Sequence, residues 1–247
     1  RILRLSFDGQ TEEFSRIDAG IPQGSPISPI LFLIYIRELF QSTATFNLSY
    51  MDDLSLSVSS TSLKKNIQTL EREAARLFEQ ATSSAIKFDA AKTELIHFTA
   101  SKKAATATLR LPDRTIVQPK TTVKWLGIYL DNRLSFKEHV TIRASKAKAT
   151  FFRLCRLANT EKGLSPFAMR QLYMACVTSV ADFGCQVYWK NQAFARTQLQ
   201  RLQNLGLKKI LGTFRSTPIL PMETEAAIPP PHIRLNAAIR KYSLRAQ

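Results

Sequence analysis

Tyr50-Met51-Asp52-Asp53 is the stretch around which the chain is organised. It lies between two segments typical of β-strands, 44–49 and 54–59, and the second alternates apolar and polar side chains as a half-buried strand does. The pattern predicts a hairpin with Asp52 and Asp53 at its tip. Adjacent strand residues point to opposite faces, but at a tight turn both carboxylates can reach one side. Such a pair suits Mg²⁺, which prefers hard oxygen ligands; the alternative is that Asp-Asp serves only as turn chemistry.

Positive charge is concentrated in the C-terminal part of the chain. The 247 residues carry a net charge of +16. Residues 1–100 hold 10 Lys/Arg against 12 Asp/Glu, whereas residues 101–247 hold 25 against 7. Because Lys and Arg displace counterions from phosphates, this distribution predicts nucleic acid as the partner. An anionic membrane surface fits less well, since no basic amphipathic helix with an exposed aromatic face stands out and no apolar run is long enough to span a bilayer.

The composition indicates a folded protein in a reducing compartment. At 45% hydrophobic residues the chain can bury a core, which argues against disorder. Cys155, Cys176 and Cys185 are odd in number and lack CxxC spacing, so we expect buried thiols and neither a disulfide framework nor a zinc site. The sequence begins at Arg1 without a signal-peptide pattern, and we expect it to be a piece of a longer protein.

A glycine- and proline-rich loop precedes a strongly apolar helix. Residues 20–29 contain two glycines and three prolines, which predicts a fixed, irregular loop. The helix that follows, about 29–40, is apolar nearly all round, so we expect it to be buried. Ser25 or Ser28 is expected to cap it. Gly24 and Ser25 offer backbone N–H groups at a helix start, a place that suits a phosphate or a base edge.

The rest of the pattern predicts an N-terminal hairpin, an amphipathic helix, short strands and then basic helices. The N-terminal hairpin has Asp8-Gly9 at its turn, and the amphipathic helix begins at Ser62 and ends near Ser83. The Pro-rich segment 218–231 is expected to include extended backbone. Predicted strands cover 93–99 and 123–130, and predicted helices cover 136–158, 166–181, 194–211 and 232–245.

Three motifs, in this order, resemble reverse transcriptases of non-LTR (LINE-like) retrotransposons. The loop and helix start at 20–32 are similar to the family's loop beneath the nascent base pair. Tyr50-Met51-Asp52-Asp53 resembles its metal-binding turn, and Val123-Lys124-Trp125-Leu126-Gly127 resembles its primer-grip hairpin. The run 202–230 is similar to fungal elements of this kind. The resemblance extends over nearly the whole chain.

The fold that the resemblance implies is α+β. A polymerase palm, an antiparallel sheet packed on helices, would be followed by a basic α-helical thumb and a C-terminal extension. The change of composition near 131–136 sets the predicted boundary. The partial palm with both hairpins would occupy 1–133, the thumb-like region 134–212, and a Pro-rich connection with the last helix 213–247.

The activity implied is that of an RNA-directed DNA polymerase, which transfers nucleotides to a primer 3′-hydroxyl by a two-metal mechanism. Asp52 and Asp53 would be ligands of catalytic Mg²⁺, with Mn²⁺ as the alternative metal. Such ions activate the 3′-hydroxyl and neutralise charge on the leaving pyrophosphate. Lys92 matches a lysine suspected of protonating pyrophosphate; the alternative is a surface lysine before a strand.

Other positions would contact an RNA template, a DNA primer, the RNA–DNA duplex or a dNTP, and no membrane is implied. Contacts to template or dNTP are expected at Pro22, Gln23, Gly24 and Ser25. The primer terminus would rest on Tyr50 and Met51. The primer-grip positions are Trp125, Leu126 and Gly127, although Trp125 has an ordinary core aromatic as its alternative. Contacts to the duplex backbone are expected at Lys146, Lys148 and Arg153, with surface solvation as the alternative.

One departure from the family concerns the metal site. The family carries another aspartate on a strand before the loop, whereas Asp8 is better explained by a hairpin turn. We therefore expect the first catalytic aspartate, the fingers and the nucleotide-gating aromatic to lie upstream, and the isolated chain not to polymerise. The alternative is a catalytically dead remnant that binds nucleic acid through its basic half. A viral RNA-dependent RNA polymerase or intron maturase shares the palm, but the loop and C-terminal run argue against both. We expect an intracellular protein acting in the nucleus, with the mitochondrion as the alternative.

Overall fold

The computed structural model of the protein describes residues 2–4, 6–16, 20–21, 24–42, 44–100, 106–156 and 163–246. The chain divides into two compact units. We call residues 1–95 with 105–119 the N-terminal unit, and residues 96–104 with 120–247 the C-terminal unit. Helices and strands occur in both, as the α+β prediction requires. The units divide the chain differently from the predicted boundary at 133, because the strands at 120–131 group with the helices that follow them.

The described strands are short and lie in two-stranded sheets. The strands are β1 (Ile2–Leu3), β2 (Ser6–Phe7), β3 (Gln10–Thr11), β4 (Ser15–Arg16), β5 (Phe46–Tyr50), β6 (Asp53–Ser57), β7 (Leu95–Ile96), β8 (Leu109–Arg110), β9 (Ile116–Val117), β10 (Pro119–Lys120), β11 (Thr122–Trp125) and β12 (Ile128–Asp131). Strand β2 pairs with β3 around Asp8 and Gly9, whose φ angles of 51° and 76° are both positive, as in the turn that matches strand twist best. The predicted N-terminal hairpin is confirmed.

Helix α1 (Ser28–Ile36) continues as a 3₁₀ turn, Arg37–Phe40. The prediction that this helix is buried was wrong. Only Ser28 and Ile36 are buried in α1, while Ile30 and Ile34 are 57% and 64% exposed. An all-apolar helix is buried only when neighbours cover every side, and the described neighbours cover one side. That side packs with Leu39 and Leu77 in a small cluster.

Helix α2 (Leu63–Ser83) follows the amphipathic pattern. The Ser62 hydroxyl accepts a hydrogen bond from the Lys65 N–H at 3.4 Å, which confirms the predicted helix start. The predicted apolar stripe faces the unit's interior. Glu73 is also buried, and it accepts a hydrogen bond from Arg76 Nε at 3.0 Å. An ion pair therefore interrupts the apolar stripe.

Helices build most of the C-terminal unit. They are α3 (Lys137–Cys155), α4 (Pro166–Leu172), a π-helical segment (Tyr173–Thr178), α5 (Ser179–Ala181), α6 (Cys185–Tyr188), α7 (Ala193–Leu211), α8 (Ile219–Glu225) and α9 (Pro231–Arg245). The predicted helices 136–158, 166–181, 194–211 and 232–245 are confirmed within a few residues, in so far as the structure describes them. Ser165 caps α4 with Pro166 in its first turn, and Gly212 ends α7 at φ 64°.

Two strand predictions and one loop prediction needed correction. Of the predicted strand 93–99 only β7 is formed, and a 3₁₀ turn at Ala90–Lys92 precedes it. The predicted strand 123–130 is two strands, since Leu126 and Gly127 form a turn. Helix α8 occupies part of the Pro-rich segment 218–231, where we expected extended backbone. Among the described residues no helix is long and apolar enough to cross a membrane.

A buried polar network joins the helices of the C-terminal unit. Arg234 on α9 donates to both carboxylate oxygens of Asp182, at 2.6 and 3.0 Å. Its third nitrogen donates to Gln203 on α7 at 2.7 Å, and Gln203 in turn donates to Glu223 on α8 at 2.9 Å. Such a bidentate pair fixes orientation as well as position. The network therefore sets how α7, α8 and α9 lie against one another.

Candidate functional site

The hairpin β5–β6 carries the two candidate metal ligands. Tyr50 pairs with Asp53, so Met51 and Asp52 form a two-residue turn. Met51 has φ 53°, the left-handed conformation that such turns require of at least one residue. The predicted hairpin is confirmed, with strands at Phe46–Tyr50 and Asp53–Ser57 where 44–49 and 54–59 were predicted. Asp52 therefore lies in the turn and Asp53 begins the returning strand.

The two faces of this hairpin differ in their environment. Leu54 and Leu56 pack into the cluster of α1 and α2. The opposite face is exposed and carries Leu48, Tyr50 and, as the cross-strand partner of Tyr50, Asp53. Tyr50 is 60% and Met51 45% exposed, so both can touch a bound molecule. The core thus fixes the hairpin from one side and leaves the side with Asp53 open.

Asp52 and Asp53 are exposed, and no side chain among the described residues pairs with either carboxylate. Free carboxylate oxygens are the ligands that Mg²⁺ takes, together with water and substrate phosphates. The pair therefore fits part of a magnesium site. Within the described ranges, no cluster of three or more His, Cys, Asp or Glu side chains could hold a metal ion.

The loop before α1 is described only in part, because Pro22 and Gln23 lie outside the described residues. Gly24 has φ 88° and faces open space. Ser25 accepts a backbone hydrogen bond from the Ser28 N–H at 3.2 Å, so the chain turns here into the helix. Neither serine side chain caps α1, which contradicts the predicted cap; Ile27 holds the cap position. Pro29 in the first turn fixes the helix start instead.

Lys92 lies on the 3₁₀ turn that Asp89 caps. Its ammonium is 3.4 Å from the Asp89 carboxylate, and its side chain is 85% exposed. Exposed pairs of this kind contribute little to stability. This position agrees with the simpler alternative, a surface lysine before a strand.

The second candidate hairpin, β11–β12, belongs to the C-terminal unit. Trp125 pairs with Ile128, and the turn residues Leu126 and Gly127 have φ 46° and 82°. The Gly127 carbonyl accepts a hydrogen bond from Arg143 on α3 at 2.8 Å. The Arg143 guanidinium lies 3.9 Å from the ring centre of Phe183. A planar cation stacked in this way is held more firmly than one in water.

Trp125 and Leu126 differ in exposure. Trp125 is partly buried, and its indole N–H is buried without a hydrogen-bond partner in the described structure. Leu126 at the tip is 39% exposed. Part of Trp125 thus belongs to the core, as the alternative prediction had it, while Leu126 and the turn remain accessible.

His139 supports this hairpin, and the sequence analysis did not identify it. It is completely buried on α3. The Tyr129 N–H donates to its Nδ1 at 3.2 Å, and its Nε2–H donates to the Phe183 carbonyl at 3.0 Å. Burial, with a contribution from the positive charge of Arg143, lowers the pKa of His139 below its ordinary value. The neutral imidazole therefore connects β12 to the chain at Phe183. Its only sequence signal is that it falls beside Val140 and Phe136 on the apolar face of α3.

The three basic residues expected to contact nucleic acid are all exposed on α3. Lys146 and Arg153 are seven residues apart and lie on the same face of the helix. Lys148 lies more than about 120° away from both around the helix axis. Its ammonium is 5.8 Å from the ring centre of Phe152. The helix thus presents two separate basic edges where sequence reasoning grouped the residues together.

A comparison with known protein families gives a match to the first half of the chain. A family model described as "Reverse transcriptase (RNA-dependent DNA polymerase)" matches residues 1–130. The match covers β5–β6 completely and β11–β12 up to Leu130. No solved structure matches the chain.

Several curated proteins of mobile elements are similar to the chain. The "Probable RNA-directed DNA polymerase from transposon BS" of Drosophila melanogaster is 26% identical over 78% of this chain and 22% of the relative. The "RNA-directed DNA polymerase from mobile element jockey" of the same organism is 22% identical over 99% of this chain and 27% of the relative. The "Retrovirus-related Pol polyprotein from type-1 retrotransposable element R1" of Bradysia coprophila is 25% identical over 81% of this chain and 20% of the relative. The chain thus spans about a quarter of their length.

Proposed function

Because the chain belongs to the reverse transcriptase (RNA-dependent DNA polymerase) family, we propose that it is the polymerase segment of a retrotransposon enzyme that copies RNA into DNA. The resemblance to reverse transcriptases of non-LTR retrotransposons is confirmed. The similarity to fungal elements stays a prediction. An intracellular site of action in the nucleus, with the mitochondrion as the alternative, is part of the proposal.

The observation that carries this proposal is the exposed tip of β5–β6. Its two carboxylates are fixed by a paired two-residue turn and have no partner among the described side chains. A surface aspartate pair with no structural partner is available to a metal ion. Since the family model covers this hairpin, we assign the tip to catalysis.

In the proposed reaction, Asp52 and Asp53 hold Mg²⁺, or Mn²⁺ as the alternative. When bound, the metal supplies Lewis-acid chemistry at the primer 3′-hydroxyl and at the leaving pyrophosphate. Tyr50 and Met51, both exposed beside the carboxylates, support the primer terminus. The contribution of the chain is to present these groups on a hairpin that the α1–α2 cluster keeps in place.

The remaining roles follow the family pattern. Gly24 and Ser25, together with Pro22 and Gln23, would contact the template or the dNTP. The tip of β11–β12, at Trp125, Leu126 and Gly127, would hold the primer. Lys146, Lys148 and Arg153 would contact the duplex backbone, on two edges of α3. In this assignment 1–133 is palm, 134–212 is thumb and 213–247 is a connection. Lys92, paired with Asp89, would donate a proton only after leaving that exposed ion pair.

We further propose that the 247-residue chain does not polymerise by itself. Two carboxylates leave most of the coordination positions of Mg²⁺ to water, so affinity is low. The family's additional aspartate would have to come from a preceding segment. The relatives are about four times longer, and a segment of the jockey polymerase can be joined before Arg1 to test this.

The test is primer extension on an RNA template with Mg²⁺, comparing the 247-residue chain with this chimaera. We expect no extension by the chain alone and extension by the chimaera. In the chimaera, Asp52→Asn should lower the rate by at least about 100-fold, since it removes metal-stabilised charge. Asp8→Asn, an exposed aspartate in a hairpin turn of the same length, should leave the rate unchanged. A full rate for Asp52→Asn would refute the site assignment, and extension by the isolated chain would refute its inactivity.

A second candidate function is a remnant that only binds nucleic acid. It is favoured by the lack of a third metal ligand among the described residues, and by the excess of Lys and Arg in the C-terminal half. Both candidates predict binding that weakens steeply with salt, because both use phosphate contacts. Only the polymerase predicts activity in the chimaera, so a chimaera that binds a primer–template without extending it would favour the remnant.

A further inference from the structure

A groove along helix α7 is lined by polar and basic side chains. Its volume is about 500 Å³. Five lining residues come from α7 and one from the start of α9: Arg196, Thr197, Gln200, Arg201, Asn204 and His232. The α7 positions follow a spacing of four along one side of the helix. Buried residues of α7 such as Ala195 and Leu202 lie on the other side. Core packing therefore fixes the helix and leaves these polar side chains at its surface.

The two arginines of the groove are exposed and have no acidic partner among the residues that the structure describes. Among the described residues, the Glu223 carboxylate contacts the lining. Its Oε1 accepts a hydrogen bond from Gln200 at 2.8 Å and another from Gln203, outside the lining, at 2.9 Å. Glu223 is itself buried under α7. The surface of the groove is therefore positive, with amide and hydroxyl groups between the cations.

A second groove continues this surface along α9. It measures about 260 Å³ and is lined by Trp189, Lys190, Asn191, Asn236, Ile239 and Arg240. His232, Asn236 and Arg240 are four residues apart, so they lie on one face of α9. From His232 to Arg240 the helix advances about 12 Å, the length of three to four nucleotides of one strand at about 3.4 Å each. The two grooves together form what we call the α7–α9 track.

We propose that the α7–α9 track binds the phosphodiester backbone of a nucleic-acid strand. Arg196, Arg201, Lys190 and Arg240 supply the positive charge, and the guanidinium groups can donate two hydrogen bonds to one phosphate. The amides of the track can donate or accept at sugar and phosphate oxygens. The inference rests on the proposed function for its class of ligand, and it adds a contact surface distinct from the basic edges of α3.

The experiment measures binding of a fluorescein-labelled 20-nucleotide oligothymidylate to the purified chain by anisotropy, from 50 to 300 mM salt. The track variant is Arg196→Gln with Arg201→Gln. Its control is Lys241→Gln with Arg245→Gln, which removes the same charge from exposed positions on the opposite face of α9. Because each phosphate contact on a single strand contributes about −0.7 to the slope of log K against log salt, the slope of the track variant should be less steep by about 1.4. The slope of the control should change by less than half as much.

Backbone charge is tested with the same oligonucleotide made with uncharged methylphosphonate linkages. On this probe the track variant and wild type should bind equally weakly. Equal losses for the track and control variants would overturn the inference, because they would show only a general charge effect. If wild type itself fails to bind the charged probe at 50 mM salt, the proposed function fails as well; binding that the track variant leaves intact overturns the track alone. Circular dichroism melts verify that both variants are folded.

Discussion

The two candidate hairpins, β5–β6 and β11–β12, have turns of the same length. The carboxylates at the first tip have no partners in the described part of the chain, whereas neighbouring side chains hold the second tip. At the tip of β5–β6, Asp52 and Asp53 have no partner among the described side chains. At the tip of β11–β12, Gly127 is held by Arg143 and lies against Phe183, while His139 fixes the returning strand. A turn whose work is to bind metal needs free ligands, whereas a turn that positions a primer needs a rigid support. Stability should therefore depend strongly on the support of the second tip and hardly at all on the two carboxylates at the first.

The largest effect is expected from His139→Phe. Phenylalanine fills nearly the same volume but leaves the Tyr129 N–H and the Phe183 carbonyl buried without partners. Each such orphaned group costs about 1–3 kcal/mol, so the C-terminal unit should lose roughly 3 kcal/mol of its free energy of unfolding. Both tryptophans, Trp125 and Trp189, lie in this unit, so urea unfolding followed by tryptophan fluorescence reports on it.

The control is His232→Phe, the same substitution at a half-exposed position of the same unit. Its change should stay within about 0.5 kcal/mol. Equal losses at His139 and His232 would show that the hydrogen bonds of His139 do not support the hairpin.

The next largest effect is expected from replacing glycine by alanine in two hairpin turns, each of which has two residues with positive φ. Gly127 and Gly9 have φ 82° and 76°, but a Cβ on Gly127 would lie 3.1 Å from the Phe183 ring, whereas one on Gly9 meets nothing within 4 Å. Alanine at Gly9 should cost only backbone strain, about 1 kcal/mol. Alanine at Gly127 should cost about 2 kcal/mol, because the ring and the Arg143 guanidinium must also move.

Thermal melts by far-ultraviolet circular dichroism can measure both variants, and hydrogen exchange of the Tyr129 amide localises the loss. If Gly127→Ala were no worse than Gly9→Ala, Phe183 and Arg143 would not support the β11–β12 turn, and the rigid half of the comparison would fail.

A smaller effect is expected from pH. The pKa of His139 is lowered in the folded protein from an ordinary value of 6.5, so the folded state binds this proton less readily than the unfolded state. Its contribution to stability is complete above about pH 6.5 and is lost as pH falls through the folded pKa. Burial raises the pKa of Asp131, but backbone hydrogen bonds from residues such as Ser135 and Phe136 lower it by more, so the net pKa is lowered. Its contribution to stability is complete above about pH 3.8 and is lost only below that pH.

The measurement is the urea midpoint of the tryptophan signal between pH 7.5 and 4.5. Wild type should lose stability below pH 6.5, and His139→Phe should lose much less over the same range. Parallel pH curves for the two proteins would assign the acid sensitivity to another group.

Sequence patterns predicted the hairpins and long helices but not what surrounds them. Alternation and turn residues are local, so β5–β6, the Asp8-Gly9 turn and the start of α2 at Ser62 could be located. The support of Gly127 by Arg143 and Phe183 depends on residues up to 56 positions away, which no local pattern reports. The apolar helix α1 was predicted as buried, yet burial depends on what covers a helix, and the described neighbours cover only one side.

The smallest effect on stability is expected where the effect on activity should be largest. Asp52→Ala and Asp53→Ala remove exposed carboxylates that have no partner among the described residues, and the core side of the hairpin, with Leu54 and Leu56, is untouched. The free energy of unfolding should therefore change by less than about 0.5 kcal/mol. Circular dichroism melts of the 247-residue chain can measure this. Leu56→Ala, on the core side of β5–β6, is the positive control. A stabilisation on removal of either aspartate would also fit the comparison, since functional carboxylates placed together repel one another; a loss of 2 kcal/mol would mean that the aspartates are structural turn residues, and the assignment of this tip to metal binding would fail.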